Sequence, residues 1–500
     1  MEIQRLAGIL QLDKAADVAL YAQVRDFIAT EIIEGRLSEG ERLPPVRALA
    51  EAANVNVMTI ARAYRELSDR GLIAGRGALG TFVQGPAEEP PAPAPAAPSP
   101  RDTLPNEDGD TFRRMLKVGD LPDIVPLTRA YPDASLIDTG AFEQKIGQIL
   151  KAKPEYAYSY IAPDGLPNLK AAFARFLERH RQLHCDVDDM IVTSGGQQGI
   201  SITIQSLVSR GDTVIVENPT YFGLLDLLRN MGANAIGIDM QQDGMAIEQL
   251  SEVVRSSNAK AIFTMPTYQN PTGITTSLEK RRAILGIGRR HGIPIIEDDC
   301  FSELRFEGDF IPSIKSLSEP EDLVYYIVSM GKTLIPGMRL GFVLAPPARM
   351  EQVTAWKSVS DLHTAPLLQD AFAAYLDSAE AEANLSRIRK AYKPVLDTVI
   401  QGLAENLPAG STFTRPHGGL NLWVKLPAAI DPVDFFYACL RRNVGILTGV
   451  HLTPEKADNT GFRLSYGLSD RDALGKAVRQ VCRAAADLSK RSSSRFPVIV

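Results

Sequence analysis

The stretch SMGKTLIPGMRLG, Ser329 to Gly341, follows directly on the apolar run LVYYIV, Leu323–Val328. A strand bound for a buried sheet therefore runs into a lysine. An ammonium at such depth loses hydration and titrates at lower pH. Buried lysines are rare without a partner or a task. Taken alone, the stretch is explained equally well by a surface-loop lysine that snorkels past the sheet edge. The segments around it decide between the two.

From about Phe112 onward, apolar strand-like runs alternate with helical stretches. DMIVTSG, DTVIVENPTY, KAIFTMPTYQNPTG, IPIIEDDCFSE and DLVYYIVSMGK are the clearest runs. The alternation predicts an α/β body with a mostly parallel sheet. Each run ends in polar or Gly-rich residues, and open α/β sheets bind ligands beyond the carboxyl ends of their strands. Five strand ends then meet at one site. TSGGQQGISITIQSLV, Thr193–Val208, is a strand end, a glycine turn and a helix start, where free N–H groups and the helix dipole favour an anion. Tyr221 supplies an aromatic face. Asn270 supplies an amide on a turn held by Pro271 and Gly273. Asp298 and Asp299 supply carboxylates, and the last strand offers Ser329, Lys332 and Arg339. A phosphorylated pyridine aldehyde needs these groups together: donors for phosphate, an aromatic ring and an acid for the pyridine, an amide for the phenolic oxygen, and an amine for the aldehyde. Pyridoxal 5'-phosphate is the expected cofactor, and Lys332 then ends the strand because its neutral amine must capture an aldehyde.

To about Leu488, this segment resembles the fold-type I aminotransferases, especially the aminoadipate/kynurenine-like branch. The resemblance implies that Lys332 is the Schiff-base lysine and Asp298 the partner of the ring nitrogen, the two catalytic positions. It makes Tyr221 the stacking ring and Asn270 the amide on the phenolic oxygen. Ser329 and Arg339 become phosphate ligands, with Gly196 and Gln197 beside them. Arg463 in GFRLSYG matches the arginine that clamps a substrate α-carboxylate bidentately. Three departures bear on turnover. The family usually has Tyr after Asp-Asp, where this chain has Cys300 and then Phe301. It usually has Ser-x-Ser-Lys, where Gly331 stands in the second Ser position. It commonly has a hydroxyl in place of Gly196. Cofactor binding is expected to survive these changes, with weak or no transaminase activity.

A separate unit precedes the body. ALYAQVRDFIATEIIEG (Ala19–Gly35), LPPVRALAEAANV (Leu43–Val55) and NVMTIARAYRELSDRGL (Asn56–Leu72) carry apolar residues at helical spacing. In the third, Ile60, Ala63, Tyr64 and Leu67 share one face. GLIAGRGALGTFV (Gly71–Val83) reads as two short strands around a Gly-rich tip. Three helices and a hairpin make a winged helix-turn-helix. The whole segment resembles the GntR-type DNA-binding head, with Pro45 where the family has Ser and Asn56-Val57 where it often has Ser-Arg. By position, the resemblance assigns DNA contacts to Arg47, Thr59, Arg62, Arg76 and Thr81. Arg36 to Phe82 hold seven arginines and five acids. That excess is too small for charge alone to suggest nucleic acid.

The totals agree with this division. The chain's 500 residues exceed one ordinary core. Its 45% hydrophobic and 23% charged content is that of a soluble globular protein, and a formal net charge of −6 leaves no global basic footprint. Cys185, Cys300, Cys439 and Cys482 form no CxxC pair, which argues against a zinc site or disulfide scaffold. No metal is expected, nor a signal peptide or membrane span. PAEEPPAPAPAAPSPRDTLPN, Pro86–Asn106, reads as a semi-rigid spacer: about twenty residues at roughly 3.1 Å each reach about 60 Å. The expected domains are 15–85, a winged helix-turn-helix; 86–110, a Pro/Ala-rich linker; and 111–490, an aminotransferase-like body with a mostly parallel sheet and a small C-terminal α/β subdomain. Head, spacer and body together resemble the MocR family of transcriptional regulators. That resemblance implies a cytoplasmic, nucleoid-associated homodimer, head-to-tail with swapped heads. Its partners would be a double-stranded DNA operator and a B6 vitamer or small-molecule amine. The competing expectation is a working aminotransferase with an appended head.

Overall fold

The computed structural model describes residues 10, 12, 19–33, 36–38, 40–69, 71–75, 80–84, 121, 123–153, 155, 159–454 and 460–493. The chain divides into two compact units, Met1–Ser99 and Pro100–Val500. The expected linker, 86–110, lies outside the described residues.

In the first unit, α1 (Leu20–Ile33), α2 (Val46–Ala52) and α3 (Val57–Asp69) precede a hairpin of β1 (Ile73–Gly75) and β2 (Thr81–Val83). Ile60, Ala63, Tyr64 and Leu67 of α3 are all buried, in one cluster with Val24 and Ile28 of α1 and Leu49 of α2. The apolar stripe at i, i+3, i+4, i+7 thus faces the core. Asn56 caps α3: its Oδ1 accepts from the Met58 amide at 2.8 Å, satisfying a donor the helix itself cannot.

The second unit opens with β3 (Val125–Pro126), α4 (Gly140–Ala152) and α5 (Pro167–Arg181). Strands and helices then alternate: β4 (Met190–Thr193), α6 (Gly196–Leu207), β5 (Thr213–Asn218), α7 (Phe222–Met231), β6 (Asn234–Gln241), β7 (Gly244–Met245), α8 (Ile247–Ser256), β8 (Ala259–Thr264), α9 (Leu278–His291), β9 (Ile295–Asp299), β10 (Val324–Ser329) and β11 (Gly341–Leu344). The strands β4 to β11 form one sheet in the order β4-β11-β10-β9-β8-β5-β6-β7. Its centre is parallel; β11 runs antiparallel to both of its neighbours, and β7 is antiparallel to β6. Both faces are covered, which explains strands without polar alternation. Ile191, Ile327 and Val343 lie in a cluster with Ile200 and Ile204 of α6. Val192, Tyr326 and Phe342 lie in another with Phe173 and Phe176 of α5, and the Phe173 ring stacks on Phe342 at 3.6 Å.

Helices α10 (Met350–Asp361), α11 (Pro366–Leu376) and α12 (Ala379–Asn406) lead to a smaller subdomain. Its elements are β12 (Thr412–Phe413), β13 (Asn421–Lys425), α13 (Pro432–Leu440), β14 (Val444–Gly445), β15 (Leu447–Thr448), β16 (Gly461–Ser465) and α14 (Arg471–Ser493). Four of these strands make an antiparallel sheet, β12-β13-β16-β15, while β14 pairs with β3. Gly273 (φ +70) joins the two parts of the body: a Cβ there would collide with the Asn421 carbonyl of β13 and sit 2.9 Å from Pro416 Cβ. No helix among the described residues is long and apolar enough to cross a membrane.

Candidate functional site

Parallel pairing of β5, β8, β9 and β10, with β4 running the same way because both it and β10 are antiparallel to β11, brings these five ends to one edge of the large sheet. Register then sets the rows. Ser329 of β10 pairs with Gly341 of β11, and Gly341 pairs with Thr193 of β4. Asp298 pairs with Ile327, two residues below Ser329. Paired residues share a face and alternate residues share a face, so Asp298, Ile327 and Ser329 stand on the α6 side. Asp299, paired with Val328, points to the other side, toward α5. The adjacent carboxylates of EDD therefore have separate surroundings, which composition alone could not reveal.

The glycine turn is tightly enclosed. Gly195 has φ +85, and a Cβ on it would meet Arg339 Nη2 at 2.6 Å. Gly196 begins α6, and a Cβ there would lie 3.0 Å from Ser329 Cβ. A larger residue at 196 would press on Ser329, which accounts for glycine at a position where the resembled family carries a hydroxyl. Arg339 itself adopts φ +52, a left-handed conformation that costs a non-glycine residue about 1 kcal/mol. In that conformation its guanidinium covers the turn. Backbone N–H groups, a helix N-terminus, a serine and an arginine thus surround one position, a donor set that suits a phosphate. Gly331 differs from Gly196: a Cβ there would meet nothing nearer than Pro336 O at 3.4 Å, so a serine would fit.

β10 stops at Ser329, and Lys332 lies on the 3-10 turn Met330–Lys332 that follows. The lysine is thus one turn beyond the strand end that the sequence suggested. Its Nζ lies 5.6 Å from the centroid of the Tyr131 ring. Burial pushes the Lys332 pKa down; Arg463 and Arg339 add to this, against the opposing pull of Asp298. Asp298, 5% exposed, is pushed up to about 7 by burial and by the carboxylates of Asp299 and Glu217, while Lys332 and Arg181 act through space in the other direction. A carboxylate in that position can share a proton with a ring nitrogen. Cys300 is buried nearby, and burial raises its thiol well above the ordinary range, so it stays protonated and is only a weak donor.

Asn270 and Arg463 face each other. Arg463 Nη1 donates to Asn270 Oδ1 at 3.0 Å, and Nη2 donates to the Thr128 carbonyl at 2.7 Å. With its oxygen held by Arg463, the Asn270 amide turns its NH₂ the other way. Arg463 Nε is buried without a partner, and burial lowers the guanidinium to about 10. A buried cation that keeps an unpaired N–H suits an incoming carboxylate. The Tyr221 hydroxyl donates to Gln197 Oε1 at 2.9 Å, and Gln197 Nε2 donates to the Gly223 carbonyl at 3.3 Å. These bonds fix the tyrosine ring at the end of β5.

Sequence reading missed several participants. Thr128 and Tyr131 come from the segment after β3, and no periodicity marks them. Glu217, at the end of β5, accepts from Thr264 Oγ1 at 2.7 Å, Met265 N at 3.0 Å and Gln269 Nε2 at 3.0 Å. The acid in TVIVEN was a visible signal, since a carboxylate inside an apolar strand requires partners. Burial pushes Glu217 up to about 7. An unfolded carboxylate titrates near 4.5, so between about pH 4.5 and 7 the folded chain holds a proton that the unfolded chain gives up. Stability from this group accordingly falls as pH rises through that window and is level above it. In Glu217→Gln, the melting temperature should rise relative to the unsubstituted chain between pH 5 and pH 8, equivalent to at most about 2–3 kcal/mol. A pH-independent difference would show that Glu217 does not titrate there.

In the first unit, Arg47 is exposed and Thr59 is partly buried on α3. Arg62 is 59% exposed, stacks on the Tyr21 ring at 3.6 Å and reaches Glu66 at 3.3 Å. Thr81 lies on β2. Arg76, expected at the wing tip, lies outside the described residues. Among the described residues, no group of three or more His, Cys, Asp or Glu side chains is placed to hold a metal.

Comparison with known proteins follows the same division. Residues 139–481 match the family model for aminotransferase class I and II, and residues 20–83 match that for bacterial regulatory proteins of the gntR family. The chain is 29% identical over 492 residues to the "Probable rhizopine catabolism regulatory protein MocR" of Rhizobium meliloti, with 98% of each chain covered. It is 27% identical over 380 residues to 2-aminoadipate transaminase of Thermus thermophilus, covering 76% of this chain and 94% of that one. Among solved structures it is similar to Pyrococcus horikoshii kynurenine aminotransferase, with TM-score 0.72, 26% identity, 76% of this chain and 95% of that one. The Thermus thermophilus α-aminoadipate aminotransferase LysN gives TM-score 0.71 with the same identity and coverage.

Proposed function

This chain belongs to the aminotransferase class I and II family and joins to it a GntR-family DNA-binding head, the MocR-type architecture, and from that premise we propose that its body senses pyridoxal 5'-phosphate, or an amino compound that condenses with it, and thereby sets operator affinity. The observation that carries this reading is the half-buried Lys332 on the same sheet edge as Asp298, Ser329, Arg339 and the Gly195–Gly196 turn. When bound, the cofactor would supply an aldehyde for an amine and a ring that withdraws electrons.

The chain's own residues divide the remaining work. Lys332, with its pKa depressed, offers a neutral amine. Asp298 holds a proton at the ring nitrogen. Ser329, Arg339 and the N–H groups at Gly196 and Gln197 take the phosphate. Tyr221 would offer the ring an aromatic face, and Asn270 an amide donor for the phenolic oxygen. Arg463 takes the carboxylate of an incoming amino compound and must loosen its bond to Asn270 to use both Nη groups. Arrival of a ligand carboxylate is thereby linked to the group that holds the phenolic oxygen.

The regulator reading is favoured over the enzyme reading because the full-length similarity includes the head, whereas the transaminase covers only the body. Cys300, a protonated thiol in place of the expected tyrosine, weakens turnover as well. We place a second copy of the chain against exposed Tyr160, Val359 and Leu362, and the long spacer lets each head reach across the pair. Operator binding measured with and without pyridoxal 5'-phosphate, then with candidate amines, tests the reading. Affinity should change by five-fold or more, as for a coupling of about 1–3 kcal/mol; unchanged affinity with a fully loaded body would reject it.

For the head, Arg62 is the proposed base-edge contact, since it is exposed and needs only to leave Tyr21 and Glu66 to extend outward. Arg62→Ala should weaken operator binding by about 1–3 kcal/mol at fixed salt and leave cofactor uptake intact. Equal affinity of the two proteins would remove Arg62 from the interface.

A further inference from the structure

A buried lysine that plays no part in the site chemistry lies behind the glycine turn. Lys357, on α10, has a fully buried side chain; its ammonium pairs with the Asp361 carboxylate and donates to Thr364 Oγ1 at 3.1 Å. The second oxygen of Asp361 accepts from Ser194 Oγ at 2.9 Å. Ser194 is also held by its main chain: its amide donates to Gln198 Oε1 at 2.7 Å, and Gln198 Nε2 donates to Ser360 Oγ at 3.0 Å. One end of α10 thus fixes both the side chain and the backbone of the residue that precedes Gly195. On the far side of that turn lie the Arg339 guanidinium and Ser329.

We propose that the Lys357–Asp361 pair, acting through the Ser194 hydroxyl, positions the Ser194–Gly196 turn for a phosphate-bearing ligand and so sets the preference for phosphorylated over unphosphorylated ligand. This rests on the reading of the strand edge as a pyridoxal 5'-phosphate site. Two physical points support it. Asp361 is partly exposed while the Lys357 side chain is fully buried, and a pair with one solvated partner adds little stability, so stability alone is a poor reason for burying the ammonium. A carboxylate one residue from an anion cradle would also repel the anion unless neutralised, and the Lys357 ammonium neutralises it. Asp361 can then accept the Ser194 hydrogen bond without opposing phosphate binding. Ser194, Lys357 and Asp361 are positioning residues, because they act through the turn.

The test is equilibrium binding of pyridoxal 5'-phosphate and of pyridoxal to the full chain, followed by the absorbance of the bound chromophore. Ser194→Ala, Asp361→Ala and Lys357→Met should each weaken the phosphate ester about tenfold, the effect of one charge-assisted hydrogen bond, and pyridoxal less than twofold. Ser194→Thr, which keeps the hydroxyl, should restore the affinity. The double variant Ser194→Ala/Asp361→Ala should be no weaker than either single one, because both remove the same contact. Equal losses for the two vitamers, or additive losses in the double variant, would overturn the proposal while leaving the cofactor site standing. An unsubstituted chain that does not prefer the phosphate ester would overturn the cofactor reading and this inference with it. If Lys357→Met does not fold, the partly exposed Ser194 position decides.

Discussion

Lys332→Ala will take up no covalently held cofactor. Borohydride reduction of the unsubstituted chain loaded with pyridoxal 5'-phosphate should fix the cofactor on one lysine, and the alanine variant should show none. The expectation follows from position and protonation together. Lys332 is half-buried on a 3-10 turn at the sheet edge, and burial with the nearby Arg463 and Arg339 favours its neutral, nucleophilic amine. The other buried lysine near the site, Lys357, is committed to Asp361. Lys332→Arg, which keeps a cation of similar length, should be equally empty, separating amine chemistry from charge. A label that persists in either variant, mapped to another lysine, would show that the assignment is mistaken.

The second large effect is on folding. Arg181→Met should destabilise the body by about 3–5 kcal/mol, the usual consequence of breaking a buried ion pair from one side. Arg181 is buried on α5, with Nε and Nη2 on the Glu303 carboxylate at 2.6 and 2.8 Å and Nη1 on Tyr326 Oη at 2.6 Å. Tyr326 in turn donates to Asp299 Oδ2 at 2.7 Å. Methionine fills the volume but leaves two buried carboxylates without their cation. Urea unfolding of the body at pH 8 checks the size. A loss below about 1 kcal/mol at pH 8 would mean that the network contributes little.

Local features were legible in the sequence and long-range ones were not. The five strand ends could be read because apolar runs stop at Gly, Asn, Asp and Lys in one repeated pattern, and parallel connectivity then brings those ends to one edge. Likewise the α3 stripe of Ile60, Ala63, Tyr64 and Leu67 follows from helical spacing alone. By contrast, Arg181 lies 122 residues from Glu303, the partner of its guanidinium, and nothing in ERHRQ marks it as buried. Asp298 and Asp299 look identical in EDD, and only the pleat, fixed by pairing with β10, sends one to the site and the other to Arg181. Lys357 and Asp361 read as an ordinary exposed i, i+4 pair on a helix; what distinguishes them is Ser194, far away in sequence.

Gly273 lends itself to an evolutionary reading. The turn that carries Asn270 rests directly against the Asn421 carbonyl of β13 and against Pro416, with no space for a side chain and a backbone conformation that disfavours one. Neither surface can drift alone. A lineage that altered the path of β13 would have to re-route the Asn270 turn in the same step, or pass through a form in which the phenolic-oxygen donor is misplaced. Substitutions at 273 and 416 should therefore be rare and correlated among descendants of this chain, even where the effector they recognise has changed, whereas position 421 contributes only its main-chain carbonyl to the contact.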